Sequence, residues 1–314
     1  MIRDFRPADT PVLVHFLTTQ FPAEEAILGS HPDRFFRVVK RVYRWDSRLL
    51  IGLARVFGKP LYKFLVVAEN GRAVATTLLS FPGHSVYISM VATDPTVRRR
   101  GFARALLLRT QEIAAKMGRQ FLVLDVLSDN TPARTLYEGR LGYRPLREVA
   151  FVVRDRAAEF GTEKDPLPPG VRRYRKSDEA PLLAIARSQT PSEVARVLPR
   201  KTTGLAGSRL EERLFEAQSA AWVVDRGSGA EAGIGAVRSP DTDAAHFSDP
   251  IVATTADPAL VREMVRAAGA WCASHGASRI AGQVPLANVT GAAALEREGF
   301  HAALSVWTLY RPVA

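Results

Sequence analysis

The sequence predicts a mixed α/β fold in which one unit of roughly 150 residues occurs twice in tandem. Three observations lead there. The chain has 314 residues, enough for two cores of ordinary domain size. Its first half alternates strand-like and helix-like hydrophobic periods. The opening of the chain then returns near the middle: Ile2-Arg3-Asp4-Phe5-Arg6-Pro7-Ala8-Asp9 and Val171-Arg172-Arg173-Tyr174-Arg175-Lys176-Ser177-Asp178 share an apolar residue, Arg, any residue, an aromatic, Arg, two variable residues and Asp. That pattern reads as a strand running into a helix N-cap, since Asp can accept the unpaired amides of the next turn.

Further matches follow in the same order. Lys116-Met117-Gly118 and Ser274-His275-Gly276 each read as a helix end, with glycine free to take the left-handed cap. Twelve residues beyond each glycine stands an Asn, Asn130 and Asn288, followed by Leu141-Gly142-Tyr143 and Glu298-Gly299-Phe300. Matched order and spacing point to a duplicated domain. Between the copies, Gly161, Pro166, Pro168, Pro169 and Gly170 occur without periodicity, the composition of a linker. The expected division is a domain over 1–157, a linker over 158–170 and a second domain over 171–314.

Within the first copy, Phe64 to Glu69 reads as a strand, closed by the hairpin signal Asn70-Gly71. Ala73 to Phe81 and Val86 to Thr93 are the next two, parted by Pro82-Gly83. Ala103 to Met117 is helical, because Ala103, Leu106, Leu107, Ile113 and Ala114 share one face. Phe121 to Leu127 is an apolar strand interrupted only by Asp125. Pro132 to Glu138 reads as a helix and Val149 to Val153 as a final strand. Upstream, Arg34, Arg37, Arg41, Arg44 and Arg48 lie one position before an apolar stripe, predicting an amphipathic helix over Asp33 to Leu49. Its basic face is either a solvated surface or one that meets an anionic substrate or partner.

The composition, 46% apolar and 24% charged, is that of a soluble globular protein. No apolar run approaches the roughly 20 residues a membrane span needs, and the start carries Arg3, Asp4 and Arg6 rather than an apolar signal core. The expectation is a cytoplasmic protein without a membrane partner. Cys272 is the single cysteine, which excludes an intramolecular disulfide and thiol metal motifs. No metal is expected, and Cys272, inside Ala270-Trp271-Cys272-Ala273, reads as a small buried hydrophobe. Residues 1–157 hold 25 Lys/Arg against 14 Asp/Glu, while residues 158–314 hold 18 of each. The whole net charge of +11 therefore belongs to the first copy. It favours an anionic partner: nucleic acid, anionic lipid or a polyphosphate.

The segment most informative about chemistry is Asp94-Pro95-Thr96-Val97-Arg98-Arg99-Arg100-Gly101-Phe102-Ala103. A strand leads in and a long helix leads out. The loop brings three arginines and a glycine to a helix N-terminus, where backbone N–H groups lack partners and the dipole is positive. Gly101 has no Cβ, so a phosphate can approach the backbone closely. The Gly-Lys-Ser/Thr ending of a nucleotide-hydrolase P-loop is missing, and one glycine does not make a dinucleotide fingerprint.

In this segment the chain resembles the GNAT acetyltransferases. That family carries Arg/Gln-x-x-Gly-x-Gly/Ala two residues beyond a proline that ends its fourth strand, and Arg98-Arg99-Arg100-Gly101-Phe102-Ala103 fits, with Pro95 in place. The family then has Asn-x-x-Ala-x-x-Leu-Tyr and Gly-Tyr/Phe, matched by Asn130-Thr131-Pro132-Ala133-Arg134-Thr135-Leu136-Tyr137 and Gly142-Tyr143. The motifs span residues 91–143. The resemblance implies that each copy is a mixed, mostly antiparallel twisted sheet flanked by helices. It implies acetyl-CoA as co-substrate, its pyrophosphate on Arg98, Arg99, Arg100, Gly101, Phe102, Ala103 and Arg104. The pantetheine arm would lie along the splayed strand at Val91, Ala92 and Thr93, with Asn130 bonded to it.

It also implies a direct transfer in which a neutral amine attacks the thioester. The tyrosine at the place of Tyr137 protonates the departing thiolate, a role that suits a phenol of ordinary pKa near 10. Relatives acting on ribosomal-protein N-termini often carry Leu-Glu-Val with a proposed base. This chain reads Leu124-Asp125-Val126, and a carboxylate among apolar neighbours should have a raised pKa that suits a base. His84 and Glu69 are weaker candidates, and the amine could also lose its proton to water. The acceptor is a small-molecule amine or a protein N-terminal amine, and the protein a monomer or homodimer.

The second copy departs from this pattern. Asp94 to Gly118 is 24 positions, but Asp257 to Gly276 is 19, so about the arginine-glycine loop is missing. Leu295 stands where Tyr137 stands. The second copy is therefore expected not to bind acetyl-CoA and to shape the acceptor cleft, as in tandem proteins with one degenerate half, mycothiol synthase-like enzymes among them. The alternatives are a non-catalytic acyl-CoA-binding or regulatory module, against which Tyr137 and Asp125 speak, and a nucleic-acid-binding protein, for which basic-aromatic interleaving and a recognisable motif are missing.

Overall fold

The computed structural model describes residues 1–22, 27, 62–163, 166–206, 212, 216–227, 229–240 and 242–313; the basic helix expected over Asp33 to Leu49 lies outside them. The first half supplies strands β1 (Ile2–Asp4), β2 (Tyr62–Glu69), β3 (Arg72–Ser80), β4 (Ser85–Thr93), β5 (Phe121–Leu127) and β6 (Arg144–Asp155). The second supplies β7 (Val171–Arg173), β8 (Gln218–Asp225), β9 (Ala230–Arg238), β10 (Ala244–Phe247), β11 (Ile251–Val252), β12 (Arg279–Pro285) and β13 (His301–Pro312). They form one sheet in the order β1-β2-β3-β4-β5-β13-β6-β12-β10-β9-β8-β7, with β11 on β9. β4–β5 and β10–β12 pair in parallel and the other described pairs are antiparallel.

The centre of the sheet, β5-β13-β6-β12, shows that the halves exchange strands. β13 pairs with β5 from Val306↔Leu127 to Pro312↔Phe121. β6 pairs with β12 from Val149↔Pro285 to Asp155↔Arg279. A pseudo-twofold relates β5 to β12 and β6 to β13, so each half's sheet is completed by the last strand of the other. Without these neighbours, β5 and β12 would end as bare edges, with unpaired backbone groups beside apolar side chains.

The helices are α1 (Thr10–Gln20), α2 (Phe102–Lys116), α3 (Thr131–Arg134), α4 (Glu179–Ser188), α5 (Ser192–Val197), α6 (Pro258–Ser274) and α7 (Val289–Glu296). On one face, Leu106, Leu107 and Ala114 of α2 pack with Leu122, Leu124 and Val126 of β5 and with Leu309 of β13. On the same face of the second half, Val261, Met264, Val265, Ala268, Trp271 and Cys272 of α6 pack with Ile280 and Val284 of β12. Cys272 is buried, which pushes its thiol pKa up, as expected of a structural cysteine. The opposite face carries Phe121, Val123 and Tyr310, packed against Val197 of α5. Among the described residues no helix is long and apolar enough to cross a membrane.

The recurring octet is duplicated atom for atom. Arg3 grips both oxygens of Asp9 at 2.7 and 2.8 Å, and Arg172 grips both oxygens of Asp178 at 2.8 Å. The Arg172 pair holds the Asp178 carboxyl below its usual range. Burial pushes Asp9 up, but its bonds to Arg3 and to the Arg6 backbone together outweigh that and the net shift is down. Both carboxylates reach backward: Asp9 accepts the Arg6 N–H at 2.8 Å and Asp178 the Arg175 N–H at 2.7 Å. The N-cap role expected of them is thus replaced by a clamp that closes a 3-10 turn onto the preceding strand.

β5 coincides with its predicted span, and β2, β3, β4 and α2 lie within two residues of theirs. Two elements differ. β6 runs over 12 residues, where only Val149 to Val153 had strand character. Its polar start, Arg144-Pro145-Leu146-Arg147-Glu148, is held by pairing with β13. The helix expected over Pro132 to Glu138 is α3 followed by a π-helix over Thr135–Arg140.

Candidate active site

The site begins where β4 leaves β5. The two strands pair only from Ser85↔Phe121 to Ile88↔Leu124. Beyond, β4 stays with β3, through Thr76↔Ala92 and Ala75↔Thr93, after a bulge in which Met90 takes φ 54°. β5 instead follows β13 as far as Leu127. The strands part into a slot, and Val91, Ala92 and Thr93 line the β4 side without a β5 partner.

The start of α2 lies beyond that splayed strand. Asp94 spends its carboxylate on the turn Pro95–Val97, accepting from the Thr96 N–H at 3.0 Å and hydroxyl at 2.7 Å. The chain then runs through Arg98, Arg99 and Arg100 to Gly101, which caps α2 at φ 84° without any side-chain hydrogen bond. The first amides of α2 are left without a capping side chain at the positive end of a 15-residue helix. A Cβ on Gly101 would meet nothing within 4 Å, so the cradle is open. Arg98, Arg99 and Arg104 are exposed; Arg98 reaches the Thr93 carbonyl at 3.5 Å and Gln20 at 3.3 Å. Arg100 is bound to Glu69 through two bonds of 2.9 and 2.5 Å and lies 5.0 Å over the Phe102 ring. That pairing engages Glu69, one of the weaker base candidates.

The equivalent features of the second half are closed. α6 starts at Pro258 directly after Asp257, whose carboxylate caps it by accepting the Ala259 N–H at 2.8 Å. β10 leaves β12 after Phe247↔Gly282, while β11 continues on β9. There Asn288 donates to Asp249 Oδ1 and to the Pro250 carbonyl, both at 2.7 Å, and stitches the divergence shut. Asn130, its counterpart, is exposed; its Oδ1 caps α3 by accepting the Ala133 N–H at 3.2 Å. Leu295, at the Tyr137 position, is buried in the core.

Tyr137 and Asp125 lie on opposite faces of β5. Tyr137, on the π-helix, is buried among the α2-side residues that include Leu124 and Val126, with its ring 6.1 Å from that of Tyr143. Burial pushes its hydroxyl pKa up to about 12, so the phenol is protonated at neutral pH. Asp125 turns to the other face and is exposed, with Oδ2 accepting a hydrogen bond from the Tyr87 hydroxyl. The apolar enclosure expected around Asp125 is absent, because strand alternation points it away from Leu124 and Val126. Burial, and then Asp125, push the Tyr87 hydroxyl well above its ordinary pKa. His84 is tied to the second half, with Nε2 2.7 Å from the Arg196 carbonyl.

On the Asp125 face, a cavity of about 580 Å³ lies between the halves. Tyr87 and Arg147 line it from the first half, and Gln189, Arg200, Asp249 and Asn288 from the second. α5 pins this wall: the Ser85 hydroxyl donates to the Val197 carbonyl at 2.6 Å, and Arg196 lies 5.0 Å over Phe121. Tyr87 and Arg147 carry no signal in the sequence; Tyr87 becomes visible through its hydrogen bond to Asp125, and Arg147 through its register with Asp125 by way of Thr308.

The Acetyltransferase (GNAT) family matches residues 20–143. No curated protein matches the chain. Among solved structures, a GCN5-related N-acetyltransferase from Sphaerobacter thermophilus is 15% identical, covers 100% of this chain and 95% of its own, and has a TM-score of 0.64. A tandem GNAT protein from the clavulanic acid biosynthesis pathway is 16% identical, with coverage of 100% and 98% and a TM-score of 0.60. These likenesses establish a shared fold over the whole length, and the family match adds the chemistry. Residues 20–143 are thus a GNAT acetyltransferase domain, which makes the protein an acyltransferase.

Proposed function

We propose that this protein is an acetyl-CoA-dependent N-acetyltransferase whose first-half site alone acts, on a primary amine and by direct attack. The observation that carries this reading is the contrast between the two helix starts. One is uncapped, arginine-flanked and open at Gly101; the other is capped by its own carboxylate beside a stitched slot. The uncapped start suits a pyrophosphate, with the amides of Gly101 to Arg104 and the side chains of Arg98 and Arg99 around it. The β4–β5 slot suits an extended arm along Val91, Ala92 and Thr93. When bound, acetyl-CoA supplies the thioester carbonyl and the thiol leaving group.

A slot between parted strands opens to both faces of the sheet. Asp125, on one face, takes the proton lost by the attacking amine. Tyr137, on the other, gives its phenolic proton to the sulfur as the C–N bond forms and the C–S bond breaks. Calorimetric titration with acetyl-CoA is expected to show one site per chain. Two sites would overturn the silence of the second half, and none would remove the reading. Tyr137→Phe is expected to lower turnover about 10²- to 10³-fold with cofactor affinity kept. Turnover equal to the parent's would dismiss Tyr137 as the acid.

A further inference from the structure

The cavity on the Asp125 face contains a cation that the fold does not use. Asp125 pairs across the sheet with Thr308, and Thr308 with Arg147, so the three side chains stand in a row on one face. Arg147 lines the cavity and is partly buried. Its recorded hydrogen bond, from Nε to Thr308 Oγ1, is 3.5 Å long, at the limit of a real bond. Among the described residues no carboxylate lies within ion-pair distance of it. Asp249 acts on it electrostatically but is already engaged, Oδ1 by Asn288 at 2.7 Å and Oδ2 by Arg200 at 3.4 Å. Other partly buried arginines of the chain, Arg3 and Arg172 among them, hold carboxylates in both prongs of the fork.

We propose that Arg147 is the specificity residue for the acceptor, and that the acceptor is an amino-carboxylate, its amine beside Asp125 and its carboxylate on the Arg147 guanidinium. This rests on the acetyltransferase reading above. Two strand spacings separate Asp125 from Arg147, about 10 Å between backbones. Asp125 stands behind Tyr87, which lines the cavity and bonds it, so the span from Arg147 to the Asp125–Tyr87 pair suits a small amino acid. A planar guanidinium takes a carboxylate bidentately. Asp249 and Glu148 on the same cavity disfavour a phosphate dianion, which selects the monoanion.

The test compares glycine, β-alanine and 4-aminobutyrate with their primary amides and with putrescine, by acetyl-CoA-dependent thiol release and by calorimetry on the acetyl-CoA-bound protein. At least one carboxylate should be preferred over its amide by roughly 30-fold in kcat/KM, or bind where its amide does not. Arg147→Gln should erase that preference mainly through KM, and Arg147→Lys should restore part of it. Acetyl-CoA titration of both variants reports folding independently of the acceptor. Equal or better use of the amides or putrescine, failure of every carboxylate probe to bind or react at millimolar concentration, or a preference unchanged in Arg147→Gln overturns the proposal. Loss of acetyl-CoA binding by the parent protein would instead strike the underlying function.

Discussion

Gly101→Asp is expected to abolish measurable acetyl-CoA binding, a loss beyond about 100-fold, while the protein stays folded. Two effects add. The residue sits at φ 84°, where any side chain costs about 1–2 kcal/mol. The larger effect is electrostatic: an aspartate at the N-cap of α2 would accept the free amides and place a negative charge where a phosphate must lie. The second half contains this arrangement already, in Asp257 at the start of α6. Gly101→Ala separates the two effects, because it carries the strain without the charge and should lose only about 5- to 30-fold. An aspartate variant that titrates like the parent would end the assignment of this loop.

Removing β13 is expected to destroy the first half, although its residues come last in the sequence. Leu309 is fully buried in the core it shares with α2 and β5. Leu309→Ala should cost about 3 kcal/mol in denaturant unfolding. A chain ending before His301 leaves β5 with an open apolar edge and takes a neighbour from β6. It should aggregate or fail to unfold cooperatively, and should not bind acetyl-CoA. Residues 1–157 expressed alone should behave the same way. If that fragment is soluble, cooperative and binds acetyl-CoA, the exchanged strand is dispensable and the halves are separable units.

The strand exchange also gives the second half a structural role, whether or not it carries a site of its own. Each half of the sheet is finished by the other, and α5 and Asn288 of the second half help to line the cavity between the halves. A copy that has lost its arginine loop and its tyrosine therefore still has a structural role. The absence of the arginine loop and of the tyrosine from the second half is legible in the sequence. The manner of it, a helix capped by its own Asp257 and a divergence tied by Asn288, is the finding of the structure.

Local order was legible in the sequence because it rests on neighbours in the chain. Hydrophobic period marked β2 to β5 and α2, the Asn70-Gly71 turn marked a hairpin, and the spacing Arg-x-x-Gly marked the helix start. The duplicated octet revealed the repeat, though not the direction in which Asp9 and Asp178 would bond. What the tertiary structure decided depends on pairs far apart in sequence. β6 is long because β13 and β12 flank it, which its polar first residues could not disclose. Asp125 proved exposed, opposite Tyr137 and bonded to Tyr87, because strand alternation and a partner 38 positions away set its surroundings. Arg147 gained meaning only when β13 brought Thr308 and Asp125 into its row. A sequence records which residues can form an element; which residues share a face across strands is set by register, and here register is set by the exchange of strands between the halves.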